Sequence, residues 1–181
     1  DLHDIKNIKY NLDSLNLIND NLKNHNKKNK IKYVNDSFEL GFKLLKSGIS
    51  NKFVNGPINK NEFLQKKFLG VTEYISKKFN RKKTAMLIYN KNLSVCPITT
   101  HLPLKLVPKN IKKNLIIEKT ILVNDFFKNK IGFKPKIAVT GLNPHCESFM
   151  EFNEDIKIVA PAIRILRKKG YRIDGPFSAD T

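Results

Sequence analysis

Apolar positions recur along this chain at two spacings, and the switching between them sets the expected fold. In LDSLNLINDNLKN (12–24), Leu12, Leu15, Ile18 and Leu22 fall on one helical face. The polar run NHNKKNK (24–30) follows as a solvated loop, and IKYV (31–34) reads as a short strand. Asp36 or Ser37 is placed to cap a helix running to about residue 47, which Gly48 would stop. KFVNGP (52–57) predicts a strand entering a turn, and INKNEFLQKKF (58–68) a helix after it. TEYISKKFN (72–80) predicts a helix opened by Thr72.

The second half is more regular. TAMLIY (84–89) and LSVCPITT (93–100) flank NKN, a connection of hairpin length, with Pro97 placing the second strand at an edge or a bulge. IKKNLIIEKTILVNDFFKNK (111–130) predicts a long amphipathic helix, and KPKIAVTGLNP (134–144) a buried strand leaving through Gly141. NEDIKIVAPAIRILRKKG (153–170) predicts a helix with Asn153 as N-cap, acids early, bases late and Gly170 as its stop. Helices alternating with short apolar strands predict an α/β fold with a largely parallel sheet and one antiparallel excursion near 84–98.

Three strand ends carry candidate chemistry: NGPINK (55–60), TTHLPL (99–104) and GLNPHCE (141–147). Loops from the carboxyl ends of strands share one crevice in an open α/β sheet, so His101 and His145 are expected to approach each other. Two neutral imidazoles suit a divalent cation, and a third group from elsewhere is needed to complete a catalytic set. A satisfied, half-buried histidine is the competing reading, and the strand-exit positions leave the two level. Lys60 near a helix start could bind an anion, but an ordinary surface lysine is the simpler account. Thr72 reads first as a helix cap and second as a phosphate contact. Cys146 reads as a small apolar side chain before a soft ligand or a reactive thiol, and Cys96 as packing. The chain has no GxGxxG fingerprint, P-loop or GxSxG elbow.

Composition changes this picture little. The 34 Lys+Arg against 16 Asp+Glu give a net charge of +18, which suits an anionic partner. With Lys and Asn abundant in the first half, solvated lysine faces explain the charge more simply than a nucleic-acid footprint. No apolar run approaches the roughly 20 residues of a membrane span, so no membrane partner is expected. Two cysteines make no disulfide framework, and a reduced, cytoplasmic setting is the expectation. A first residue Asp1 and a last residue Thr181 directly after GPFSAD suggest an internal piece of a longer protein.

NGPINK, GVTEY, TTHLPLKLVP, TGLNPHCE, the NEDI helix with APAIRILRKKGY, and DGPFSADT stand in the order and at about the spacing of one known family. Over residues 30–181 the chain resembles the 4-hydroxythreonine-4-phosphate dehydrogenases of vitamin B6 biosynthesis. The resemblance implies a three-layer α/β/α fold like that of isocitrate and isopropylmalate dehydrogenases, incomplete in this chain, and NAD binding without a glycine fingerprint. It implies oxidation of 4-phosphooxy-L-threonine, assisted by a divalent metal cation (Zn, Mg or Co), with decarboxylation to 3-amino-2-oxopropyl phosphate. It also implies a homodimer sharing the metal site between subunits. By motif, His101 and His145 match two metal ligands, Thr72 a substrate-binding threonine, and Asp180 an acidic position near the site. The resemblance leaves the catalytic acid and base unassigned.

The chain departs from the family in three places. The third metal histidine and the NAD-binding segments lie beyond ADT, Val71 stands where the family has His, and CESFMEF replaces a glycine-rich loop. A related dehydrogenase of phosphorylated four-carbon sugar acids, a non-catalytic relative and a basic nucleic-acid-binding module are the alternatives.

Overall fold

The computed structural model describes residues 13, 27–65, 67–146 and 152–180, and the chain divides into two compact units, residues 1–71 and 72–181. The helix expected over 12–24 lies outside the described residues save for Asp13.

In the first unit, helix α1 (Lys27–Lys46) runs through the segment expected as a loop and then a strand. Ile31, Val34, Phe38 and Phe42 are spaced by three, four and four residues, one helical stripe that outweighs the strand preference of a four-residue apolar run. Phe38 and Phe42 are buried, and their rings meet Phe53 at centroid distances of 5.4 and 5.8 Å, while Phe63 lies 4.8 Å from Phe38. Gly41 admits this packing, since a Cβ there would fall 2.5 Å from the Phe53 ring. Gly48 ends the helix with φ +80°, as expected. Residues 52–59 form no strand, and α2 (Lys60–Leu64) is shorter than the sequence predicts because Gln65 turns into the left-handed region at φ 48°. Asn59 caps it, its side chain accepting from the Glu62 N–H.

The second unit follows the sequence more closely. Helix α3 (Val71–Lys78) starts one residue before Thr72, which therefore sits inside the first turn rather than opening it. The expected hairpin reduces to one antiparallel bridge, Ile88 to Val95, closed by reciprocal N–H···O bonds of 2.8 and 2.9 Å. Pro97 has no N–H to extend that ladder. A short helix, α4 (Val107–Asn110), leads into α5 (Lys113–Phe126), which widens to a π turn over Phe127–Ile131 and stops at Gly132, φ +96°.

Strand β1 (Ile137–Thr140), a π turn (Asp155–Val159) running into α6 (Ala160–Lys168), and strand β2 (Ile173–Phe177) form a βαβ unit with parallel pairing. Ile137 pairs with Ile173, Ala138 with Asp174, and Thr140 with Phe177. β1 is half-buried rather than buried: Ile137 and Val139 pack on the core while Ala138 and Thr140 are exposed. Gly175 sits at φ +129°, with a hypothetical Cβ only 2.3 Å from the Val139 carbonyl oxygen, so this close approach of β2 to β1 requires glycine. The core is Ile111, Ile116, Val159, Ala162, Ile163, Leu166 and Ile173, and it fixes α5 and α6 against one face of the strand pair. Asn153 caps the last helical segment as expected, its side-chain oxygen accepting from the N–H groups of Asp155 at 2.8 Å and Ile156 at 3.3 Å.

Candidate functional site

The βαβ unit delivers two strand-exit loops to the same place. β1 ends at Thr140, and the chain leaves through Gly141, whose N–H donates to the Phe177 carbonyl at 2.9 Å. Leu142 and Asn143 then turn toward Asp155, a carboxylate with 0% exposure. Its Oδ1 accepts from the Leu142 N–H at 2.6 Å. Its Oδ2 accepts from the Asn143 N–H at 3.1 Å and from Asn143 Nδ2 at 2.9 Å. The Cys146 N–H closes the turn on the Asn143 carbonyl at 3.0 Å, with Cys146 itself at φ 57°.

The loop after β2 folds over this turn. The Pro144 carbonyl accepts from Ser178 Oγ at 2.8 Å and from the Ala179 N–H at 3.0 Å. Asp180 Oδ1 lies within hydrogen-bond reach of the same hydroxyl, so its single proton is shared between the two acceptors. Asp180 Oδ2 lies 3.4 Å from His145 Nδ1, with side-chain exposures of 45% and 71%. A contact this exposed adds little stability. Its chemical meaning is larger: a carboxylate beside Nδ1 favours the proton there and leaves Nε2 with a free lone pair. That is how metal-ligating histidines are commonly oriented.

The other candidates are placed differently. His101 is exposed and takes φ 57°, in a loop whose two ends are anchored by Ile98 and Val107 against the core. Thr72 is exposed and lines a cleft of about 690 Å³ together with Ile75, Arg81, Lys83, Tyr89 and Phe126. Lys60 is an exposed first residue of a five-residue helix in the first unit. Cys146 is half-buried with its Sγ against Gly141, and Cys96 is half-buried, its thiol pushed up by burial and drawn partly back by Lys119. Sequence reasoning overlooked Asp155 and Ser178. Asp155 looked like an acid complementing the helix N-terminus, and only its contact 12 and 13 residues back reveals the second task.

The profile described as "Pyridoxal phosphate biosynthetic protein PdxA" matches residues 3–181. The chain belongs to the PdxA family. It is 43% identical over 129 residues to the 4-hydroxythreonine-4-phosphate dehydrogenase of Sulfurihydrogenibium sp. (strain YO3AOP1), covering 69% of this chain and 40% of that protein. The namesake from Aquifex aeolicus (strain VF5) is 40% identical, over 68% of this chain and 40% of that protein. Among solved structures, the 4-hydroxythreonine-4-phosphate dehydrogenase of Klebsiella pneumoniae superposes with a TM-score of 0.60 at 33% identity, covering 70% of this chain and 39% of that one. The namesake from Burkholderia phymatum gives 0.65 at 25% identity, covering 83% and 46%. The PdxA chain described here thus spans about 40% of the length of the curated relatives it matches first, and its fold is an incomplete α/β fold of that family.

The donor chemistry of this PdxA chain fits a cation in part. His145 offers an exposed imidazole backed by a carboxylate, and His101 a second exposed imidazole. Among the described residues, no group of three or more His, Cys, Asp or Glu side chains is placed to hold a metal ion, so His101 does not join His145 and Asp180 in one. A complete ligand set would need groups beyond these.

Proposed function

We propose that this chain is an internal segment of a two-lobed, NAD-dependent 4-hydroxythreonine-4-phosphate dehydrogenase acting in the cytoplasm as a homodimer. The substrate is 4-phosphooxy-L-threonine. Its C3 alcohol loses a proton and passes a hydride to NAD, and the resulting β-keto acid loses carbon dioxide to give 3-amino-2-oxopropyl phosphate. His101 and His145 would hold a divalent cation together with a ligand from the partner subunit. A bound divalent cation supplies the Lewis acidity that eases loss of the hydroxyl proton. Asp180 keeps the His145 imidazole oriented, and Thr72 contributes a hydroxyl to the substrate. The observation that carries this reading is the pairing of His145 with Asp180 across two strand exits, in motifs that match the family.

Val71 bears on the phosphate contact. Its isopropyl group cannot donate the hydrogen bond that a histidine there would give to a phosphate. Both substrate classes carry a phosphate, so this change does not choose between them, and a related dehydrogenase of phosphorylated four-carbon sugar acids is the second reading. The test is NADH formation by the full-length protein with each substrate, before and after a chelator. The primary reading expects NADH from 4-phosphooxy-L-threonine, loss on chelation and recovery on adding back cation. Folded, metal-replete protein that forms no NADH from either substrate would overturn both readings.

A further inference from the structure

Residues 141–146, which carry His145, form no helix or strand, yet they are tied on three sides: to β2 through Gly141, to the 178–180 loop through Pro144, and to the helical segment through Asp155. The third tie differs in kind. It is a fully buried carboxylate engaging two successive backbone N–H groups and one side-chain amide. Capping its own helix does not explain it. The N–H groups of Asp155 and Ile156 are already satisfied by Asn153, so the Asp155 oxygens are committed to the loop.

We propose that Asp155 is a positioning residue that sets the 141–146 turn and, through it, the place of the His145 imidazole. This rests on the reading of His145 as a metal ligand. The chemistry selects a carboxylate. Three donors converge on two oxygens in a site without water access, and only an acceptor on both sides meets them all. Asparagine would turn an NH₂ toward one or more of these donors and leave buried N–H groups unpaired. The anchor behind it is firm, because Val159, Ala162, Ile163 and Leu166 of the same helical segment are buried in the core. A ligand held this way keeps the sub-ångström placement that a cation site demands.

The test uses the full-length protein titrated with Co²⁺ alone. Asp155→Asn is expected to weaken Co²⁺ binding by about tenfold or more, the scale of losing a group that orients a ligand. Amide exchange at Leu142 and Asn143 should accelerate alongside. Asn153→Ala removes the helix cap without touching the turn; it should lower the melting temperature yet keep Co²⁺ affinity within about twofold. Where Asp155→Asn does not fold, Asn143→Ala removes a single donor and should weaken Co²⁺ binding by about two- to fivefold. Unchanged Co²⁺ affinity in the folded variants, or an equal loss in Asn153→Ala, overturns the inference. Co²⁺ binding that survives His145→Ala sinks the metal reading beneath it, whereas a defect in His145→Ala with none in Asp155→Asn sinks this inference alone.

Discussion

Two histidines at two strand exits are held in contrasting ways. His145 lies in a turn secured by a buried carboxylate, by a strand neighbour and by the 178–180 loop, and the left-handed residue is its neighbour Cys146. His101 itself takes the left-handed conformation, in a loop whose ends pack on the core through Ile98 and Val107. A non-glycine residue in that region stores on the order of 1 kcal/mol. Both imidazoles are exposed, so the difference lies beneath them: the backbone under His145 is tied to two other segments by hydrogen bonds, while the loop of His101 rests on apolar packing at its ends.

The largest way to break that contrast is Gly141→Ala. A Cβ there would meet Cys146 Sγ at 2.5 Å, the Asn143 carbonyl oxygen at 3.1 Å and Asp155 Cγ at 3.2 Å. Overpacking of this kind should cost about 1–3 kcal/mol in thermal or denaturant unfolding. A neutral result would mean that the turn is looser than its hydrogen bonds imply. Ser178→Ala probes the second tie and should cost about 0.5–1.5 kcal/mol, since it deletes the hydroxyl shared by the Pro144 carbonyl and Asp180.

The smallest effect belongs to the His101 side. Burial raises the Cys96 pKa, with Lys119 opposing. Its alkylation at neutral pH should run at least about threefold slower in the folded protein than in denaturant. The sign for stability follows: the contribution is complete below the unfolded thiol's pKa and is lost as pH rises through the higher folded value. Equal alkylation rates would show that this strand is open to solvent.

Much of the second unit was legible in the sequence. Asn153 and Gly170 bracket the last helical segment, and the strand Ile137–Thr140 leaves through Gly141, whereas β2 and the approach of Asp180 to His145 have no signal in the local pattern. What was hidden depends on distance along the chain. The bond from Asp155 to Leu142 spans 13 residues, and no local pattern announces it. In the first unit, Ile31 to Val34 looked like a strand because a four-residue window cannot show the stripe that continues to Phe42. The hairpin over 84–100 was overdrawn because a single proline, Pro97, removes the donor its ladder needed.

The most direct test of the His145 assignment is nitrogen NMR of its imidazole in the full-length protein during addition of Zn²⁺. The account predicts a proton resting on Nδ1 beside Asp180 and an Nε2 resonance that shifts as metal is added. An imidazole whose two nitrogens are unmoved at saturating Zn²⁺ would contradict it.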